Sequence, residues 1–488
     1  MKLKDLLEGV PRVQYNGNEE QEIQGIAYSS KDVESDFLFA ALKGEKKDGF
    51  EFIQEALLKG AVAFLSEKPK PENFEKTWLH ASDAREALAL CSANFYSHPS
   101  QKMKVVGITG TKGKTTITYL LEEILKKSHF LPSVIGTISY RGPSISISAE
   151  RTTPEAPDLQ RIMAEMLAEG VTHCLIEVSS HALDLRRVLG IGFDITLFSN
   201  LSGDHLDYHH TMENYFEAKK KLFFLNHKKR TAVINSDDPW GKKLISELSS
   251  GVVTYGLEPD AQVRCENFKL TEKGIEFSAK HQAGTISVSS PLMGKPNLYN
   301  ILASIAVALT LDIPVSAIKE GIASLIEVPG RFEKIKNSLG LHIFVDYAHT
   351  DDALKNLLET VRELNPQRII LIFGAGGDRD KTKRPRMGEV AGNLSDWTIL
   401  TSDNPRSEDP LAIISDIEKG IKKTGTKNYE ILPDRKEAIE HALSIGEKGD
   451  YILVAGKGHE DYQVIKDKVI PFKDADVIRS VLKIKELA

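Results

Sequence analysis

Residues 105–116 read VVGITGTKGKTT. The run VVGIT has the make-up of a short buried strand. TTITYLLEEILKK, at 115–127, carries apolar residues at helical spacing. A strand, a glycine-rich turn and a helix in that order predict a phosphate loop spanning Gly110, Thr111, Lys112, Gly113, Lys114, Thr115 and Thr116. The two glycines let backbone N–H groups face an anion, and Lys114 supplies a point charge for β and γ phosphates. Thr115 can offer its hydroxyl to Mg²⁺, and the helix N-terminus adds its dipole. A strict GxxxxGK[ST] pattern would place glycine at 108, where this chain has Ile108, so the spacing is GxxGKT. The plain alternative is a helix-capping turn that happens to contain GKT, and the flanking strand and helix favour the phosphate loop. The loop indicates a nucleoside triphosphate and leaves the reaction open.

Outward from this turn the same pattern repeats. Apolar runs at 174–178 and 195–198 each end in polar loops. After residue 340 come HIFVDYAHT, RIILIFGAGGDRD, WTILTSDNPR and DYILVAGKGHE, each a strand ending in a polar, glycine- or proline-bearing loop. Helical patterns between them predict parallel sheets with crossover helices. In such sheets ligands bind outside the carboxyl ends of the strands, where all of these loops lie. Two breaks divide the chain, one at His98-Pro99-Ser100 and one at Pro329-Gly330. They predict an α/β protein of three domains: a smaller N-terminal α/β domain over 1–99, a central P-loop-type domain with a mostly parallel sheet over 100–329, and a Rossmann-like C-terminal domain over 330–488.

The 488 residues are 41% hydrophobic and 27% charged, which excludes a disordered or collagenous chain. With 63 Lys and Arg against 69 Asp and Glu, the net charge is −6. That balance argues against a nonspecific nucleic-acid or anionic-membrane binder, so any phosphate is held by a local site. Three cysteines without a CxxC pair, Cys91, Cys174 and Cys265, fit a reducing compartment. The N-terminal stretch has no long apolar core, and ILASIAVALTL at 301–311 is too short to span a bilayer and reads as a buried helix. The expectation is a cytoplasmic protein without membrane insertion.

Glu177, at the end of its strand, is placed where a carboxylate could reach Mg²⁺ over the phosphate loop. His205 follows Asp204, and Lys219 lies on a helix beginning near Met212. His205, His209 and His210 invite a zinc reading, but no cysteine accompanies them. Imidazole is an atypical Mg²⁺ ligand. Taken alone, His205 is a hydrogen-bonded structural histidine and Lys219 a solvent-facing helix lysine, one of three in a row.

Together, GITGTKGKTT, TTPE, EVSSHAL, NLSGDHLDYH, FEAK, PGRFE, VDYAHT, FGAGGDRDKTKRP, SDNPR and AGKGHED occur in the order found in the Mur ligases. The resemblance covers nearly the whole chain. Its weakest stretch is 28–44, where Ser29-Ser30-Lys31 replaces the common Asp-Ser-Arg. It implies an ATP-dependent amide ligation: a carboxylate of a nucleotide-linked peptide takes the γ-phosphoryl group, and an amine displaces phosphate from the acyl phosphate. Lys114, Glu177, His205 and Lys219 match the family's catalytic set. Thr115, Glu177, His205 and Lys219, the last as a carbamate, match its Mg²⁺ sites. Asn300 resembles the adenine-contacting residue, Arg331 the hinge arginine that reaches phosphates, and Asp346 the ribose-contacting aspartate. Ser30 resembles a contact to the uridine end, and Thr152, Thr153, Ser179 and Arg187 resemble contacts to the muramyl peptide. Asp351 and Leu185 depart from the family's proline and glutamine.

The loop Asp403-Asn404-Pro405-Arg406 resembles that of members adding meso-2,6-diaminopimelate to UDP-N-acetylmuramoyl-L-alanyl-D-glutamate. An arginine can grip a distal carboxylate with two parallel hydrogen bonds, and lysine has none to offer. Arg379, Gly456 and Glu460 match further contacts to this amino acid, with Glu460 pairing its distal ammonium. The implied partners are these small molecules and ATP, with the chain acting as a monomer. The alternatives are an L-lysine-adding synthetase or another amide ligase of the superfamily such as folylpolyglutamate synthetase.

Overall fold

A computed structural model describes residues 1–44, 47–225 and 231–487. Three sheets follow one another along the chain. In the first, the spatial order is Val13–Asn16, Thr77–Ala81, Ala63–Ser66, Phe37–Ala40, Gly25–Ala27, parallel except for the first pair. Side chains alternate across a strand. Leu38, Leu65 and Leu79 therefore pack on the helix Ala84–Phe95, while Phe39, Phe64 and Trp78 meet Ile53 and Ala56 on the other face. This unit touches the next through Tyr28, whose hydroxyl donates to Asp158 at 2.7 Å, and through Arg85, 3.5 Å from Glu155.

The second sheet has eleven strands. Its parallel block runs Val263–Thr271, Val252–Gly256, Thr231–Asn235, Ile195–Phe198, Lys104–Thr109, His173–Glu177, Pro132–Ile135. Lys104–Thr109 is where chain order reverses: later strands add on both sides of it, so three strand ends open together above the glycine turn. Val106 and Ile108 face the helices Lys114–Lys127, Lys295–Thr310 and Val315–Ser324, while Val105 faces the layer containing Ile162, Met166 and Phe216. Burial on both faces explains why these strands read as continuous apolar runs. The run at 301–311 is indeed a buried helix, with every residue from Ile301 to Ala308 in its core.

The third sheet is ordered Glu333–Ile335, His342–Asp346, Tyr451–Ala455, Ile369–Phe373, Trp397–Leu400, Tyr429–Ile431, parallel apart from the first strand. Antiparallel additions went unread in the sequence. Gly274–His281 and Gly284–Ser290 extend one edge of the central sheet, and Tyr462–Ile465 pairs with Lys468–Pro471 in a separate hairpin. Each of these strands carries polar residues on an open face, so no apolar run marks it. The central and C-terminal sheets are joined by packing as well as by the chain. Met293 belongs to the core of the third sheet, and the Tyr451 hydroxyl donates to Glu272 of the central flap at 2.8 Å. No described helix is long and apolar enough to cross a membrane.

Candidate active site between the central and C-terminal sheets

The strand Lys104–Thr109 ends in the glycine turn, and the helix Lys114–Lys127 leaves it. Gly113 takes φ +89°, and a Cβ there would lie 2.3 Å from the Asn300 side-chain oxygen, so glycine is required on both counts. Lys114 Nζ donates back to the carbonyls of Gly110 (2.9 Å) and Thr111 (3.0 Å). Burial pushes its pKa down, against the pull of Glu177.

Glu177 is 1% exposed. One carboxylate oxygen accepts from the hydroxyls of Thr115 (3.0 Å) and Thr137 (2.8 Å), and the other from the Thr137 amide (3.1 Å). It forms no ion pair among the described residues. A buried carboxylate joined to the phosphate-loop threonine and neutral donors alone is an oxygen-rich arrangement that suits a hard divalent cation. Thr152 touches Thr137 at 3.1 Å. The Thr153 hydroxyl donates to the Glu177 carbonyl at 2.7 Å and accepts from the Ser179 amide at 3.1 Å. Arg187 donates to the Thr153 carbonyl at 3.1 Å and pairs with Glu155 at 2.9 Å. Thr152, Thr153, Ser179 and Arg187 are thus gathered at one strand end. Ser30 stands apart, buried in the N-terminal sheet unit two residues beyond Tyr28.

Lys219 is 1% exposed, unlike Lys220 and Lys221, which pair with Glu217, Glu247 and Asp184 on the outer side of the helix. Its Nζ donates to the Gly110 carbonyl at 2.9 Å and lies 4.5 Å from the Tyr215 ring centre. Burial, then the neighbouring Lys114 ammonium, lower its pKa well below the usual value. His205 takes φ +55°, with its ring 3.6 Å from Asp204 and its side chain 47% exposed. His209 turns away to Ser180 at 2.9 Å and Asp184 at 3.7 Å, so the three histidines do not converge. Among the described residues, no three His, Cys, Asp or Glu side chains cluster as a metal site, and any ion at Glu177 would depend on Thr115 and on ligand oxygens.

Across the cleft, of about 730 Å³, stand Arg331, Asp346 and Asp352. The Asp346 carboxylate accepts from the amides of Phe332 (2.7 Å) and Ala348 (2.8 Å). Burial raises its pKa, opposed by Arg331. The Arg331 guanidinium lies over the Tyr347 ring, 4.4 Å from its centre. Asn300 and the phosphate loop form the opposite wall. Lys112 donates to Asp352, pinning that loop to the helix Asp351–Arg362.

At the ends of two C-terminal strands, the loops at 403–406 and 456–460 make one network. Asn404 donates to Glu460 at 2.8 Å and accepts from the Val464 amide at 2.9 Å. Lys457 Nζ donates to Asn404 (3.3 Å) and Glu460 (3.1 Å). Asp403 and Pro405 are buried beside them, and a Cβ on Gly456 would lie 2.6 Å from the Asp403 carboxylate. Arg406 donates from its side chain to the Gly377 carbonyl (2.6 Å) and from its amide to Val464 (3.0 Å). Burial raises the Glu460 pKa, and Lys457 opposes it. Beneath both loops the Arg435 guanidinium donates to the carbonyls of Ser402 (3.4 Å) and Ala455 (2.9 Å) while paired with Asp474 at 2.7 Å. The Tyr347 ring lies 5.1 Å from that of His459 in the second of these loops and under the Arg331 guanidinium on the cleft side, which places it between this network and the cleft.

Arg379 is exposed, donates to its own neighbour's carbonyl, Asp378, at 3.1 Å, and flanks Gly376 together with Arg406. Glu460, expected to meet an incoming ammonium, already meets the protein's own, Lys457. Sequence reasoning missed Thr137, Lys457 and Arg435. Lys457 lay inside a quoted motif, and its flanking glycines were the available signal.

A phosphate loop, a buried carboxylate and a facing polar pocket at the strand ends of a second sheet define a ligase of two cooperating halves. The chain belongs to the Mur ligase family. Residues 108–308 match the Mur ligase middle domain, 330–458 the Mur ligase glutamate ligase domain, and 22–96 the Mur ligase family catalytic domain. A UDP-N-acetylmuramoyl-L-alanyl-D-glutamate--2,6-diaminopimelate ligase of Caldanaerobacter subterraneus subsp. tengcongensis is 44% identical, covering 99% of both chains. One of the same name from Solibacter usitatus is 44% identical over 95% of this chain and 94% of that one. A solved structure of a ligase of this name is 31% identical with a TM-score of 0.70, covering 100% of this chain and 99% of that one. A MurF ligase from Thermotoga maritima in complex with ADP shares the fold at 22% identity, with a TM-score of 0.65 and coverage of 95% and 98%.

Proposed function

We propose that this chain is the ATP-dependent ligase that adds meso-2,6-diaminopimelate to UDP-N-acetylmuramoyl-L-alanyl-D-glutamate in peptidoglycan synthesis. The observation that carries the reading is a single cleft lined by the phosphate loop, Glu177 and Asn300 on one side and by Arg331, Asp346 and Tyr347 on the other, with the Tyr347 ring 5.1 Å from that of His459 in the 456–460 loop. The 44% identity over 99% of a relative bearing that name supports the same reaction. In this reading residues 1–99 bind the uridine end through Ser30, 100–329 bind ATP, and 330–488 bind the amino acid. In this reading the chain acts as a cytoplasmic monomer.

Lys114 and the amides of the glycine turn hold the phosphates, Asn300 and Asp346 the adenosine, and Arg331 closes over the phosphates from the hinge. Thr152, Thr153, Ser179 and Arg187 hold the muramyl peptide so that its carboxylate meets the γ-phosphorus. Positioning and charge neutralisation carry phosphoryl transfer of this kind. Glu177 and Thr115 would hold Mg²⁺, which supplies charge neutralisation at the phosphates. Carbamylation of Lys219 would exchange a buried ammonium for an anion. That replaces repulsion from Lys114 with attraction and offers oxygens on the side of His205. The amine then displaces phosphate while Arg406 grips its distal carboxylate. Arg406→Lys keeps the charge and loses the bidentate fork, so selectivity for a distal carboxylate falls.

The test is phosphate release from ATP and UDP-N-acetylmuramoyl-L-alanyl-D-glutamate with meso-diaminopimelate, L-lysine or L-ornithine. Release dependent on diaminopimelate supports the reading. Release with lysine in preference overturns it.

A further inference from the structure

Asn404 and the strand Tyr462–Ile465 tie together the loops that carry four charged residues, Lys457 and Glu460 through their side chains and Asp403 and Arg406 through their backbones. Asp403 and Glu460 are acidic; Arg406 and Lys457 are basic. Lys457 is 0% exposed, with Nζ bound to Asn404 and Glu460 and lying 5.6 Å from the Tyr462 ring centre. Both of these bonds end at Glu460 Oε2 or at the amide that holds it, so Oε1 remains outside the network. Asp403 joins through its carbonyl, which accepts from Gln463 at 2.7 Å. The next charges below, Arg435 and Asp474, form a bidentate pair that cancels within itself. Lys457 and Glu460 thus form a pair of opposite charge, with the cation fully buried.

A buried cation beside a ligand-binding carboxylate is costly unless it has a task, because the same hydrogen bonds could be made by a neutral donor. We propose that Lys457 is a specificity-determining residue of the amino-acid site. Its charge balances Glu460, so the pocket favours an amino acid whose far end carries both an ammonium and a carboxylate over one whose far end is a bare ammonium. The inference rests on the function proposed above. With the pair intact Glu460 gains little from a further cation, whereas Glu460 left unpaired draws one in and repels a distal carboxylate. At an effective protein dielectric the change across such a pocket is worth on the order of tenfold in relative affinity or more.

The experiment measures kcat and KM for meso-diaminopimelate and L-lysine by phosphate release in the wild-type protein, Lys457→Met and Lys457→Met/Glu460→Gln. In Lys457→Met the ratio of kcat/KM for diaminopimelate over lysine falls on the order of tenfold. The change lies in KM for the amino acids and leaves KM for ATP in place. In the double variant, where the charges again cancel, the ratio recovers. An unchanged ratio in Lys457→Met, or an equal fall in both variants, overturns the proposal, since packing rather than charge would then decide. Should Lys457→Met fail to fold, Glu460→Gln alone decides. Lys457 is then left unpaired, so the ratio rises, and a ratio that stays or falls overturns the proposal. A wild-type protein that does not use diaminopimelate would instead refute the function itself.

Discussion

Gly330 packs directly on His459: a Cβ built on the glycine would lie 2.0 Å from the histidine's backbone nitrogen. The turn between the central and C-terminal sheets thus rests on the loop that carries Lys457 and Glu460. Gly330 also has φ +64°, which side-chain-bearing residues rarely adopt. Gly330→Ala should push that loop away and lower kcat/KM for the amino acid about 100-fold, the cost of a displacement near 1 Å. ATP affinity, measured by equilibrium binding, should change far less.

Lys219→Ala removes the buried side chain that reaches Gly110. Activity in the phosphate-release assay should fall at least about 100-fold, as for loss of a charged group in a preorganised site. Adding a short carboxylate such as formate should restore part of it. Full activity in the variant would refute the carbamate role.

Arg406→Ala leaves the phosphate loop untouched, since its partners are Gly377 and Val464. The preference for diaminopimelate over lysine should fall by a factor of about 10² or more. Competition kinetics reads the ratio, and ATP binding should stay within about twofold of the wild type, as for sites that share no partners.

Arg435 and Asp474 are both 0% exposed and bound to each other at 2.7 Å. Arg435→Met strands the carboxylate in the interior. Chemical denaturation should show a loss of about 3–5 kcal/mol, the usual cost of breaking a buried pair from one side.

His173 sits at the start of a central strand, with its ring 4.4 Å from the Phe130 ring and far from the cleft. Burial, helped by Lys104, lowers its pKa from 6.5 to about 4. Above pH 6.5 the ring is neutral folded or unfolded, and its contribution is complete. As pH falls from 6.5 toward 4 the unfolded chain gains a proton that the folded one refuses, and stability is lost. Tm should drop across that window, and His173→Phe should flatten the drop without altering activity at pH 7.

The strands around the site were legible because both of their faces are buried and each ends in glycine, proline or polar residues; those at 195–198 and 451–455 match the predicted runs. Taken alone, Lys219 reads as a solvent-facing helix lysine, and the structure buries it instead; the signal lies in its neighbours. Tyr215, Phe216, Leu222 and Phe223 are its apolar neighbours at helical spacing, and all are buried. The Lys457 network was not legible, because it depends on two loops about fifty residues apart in sequence meeting across the end of the intervening strand Ile369–Phe373.

The bond between Lys112 and Asp352 has a consequence for how nucleotide enters. An anion arriving at the glycine turn meets a carboxylate already seated on its rim, so occupancy and unlatching compete for one cation. Partly exposed ties of this kind hold by about 0–1 kcal/mol. This one tie is therefore weak enough for a nucleotide to undo, and salt alone should loosen it further.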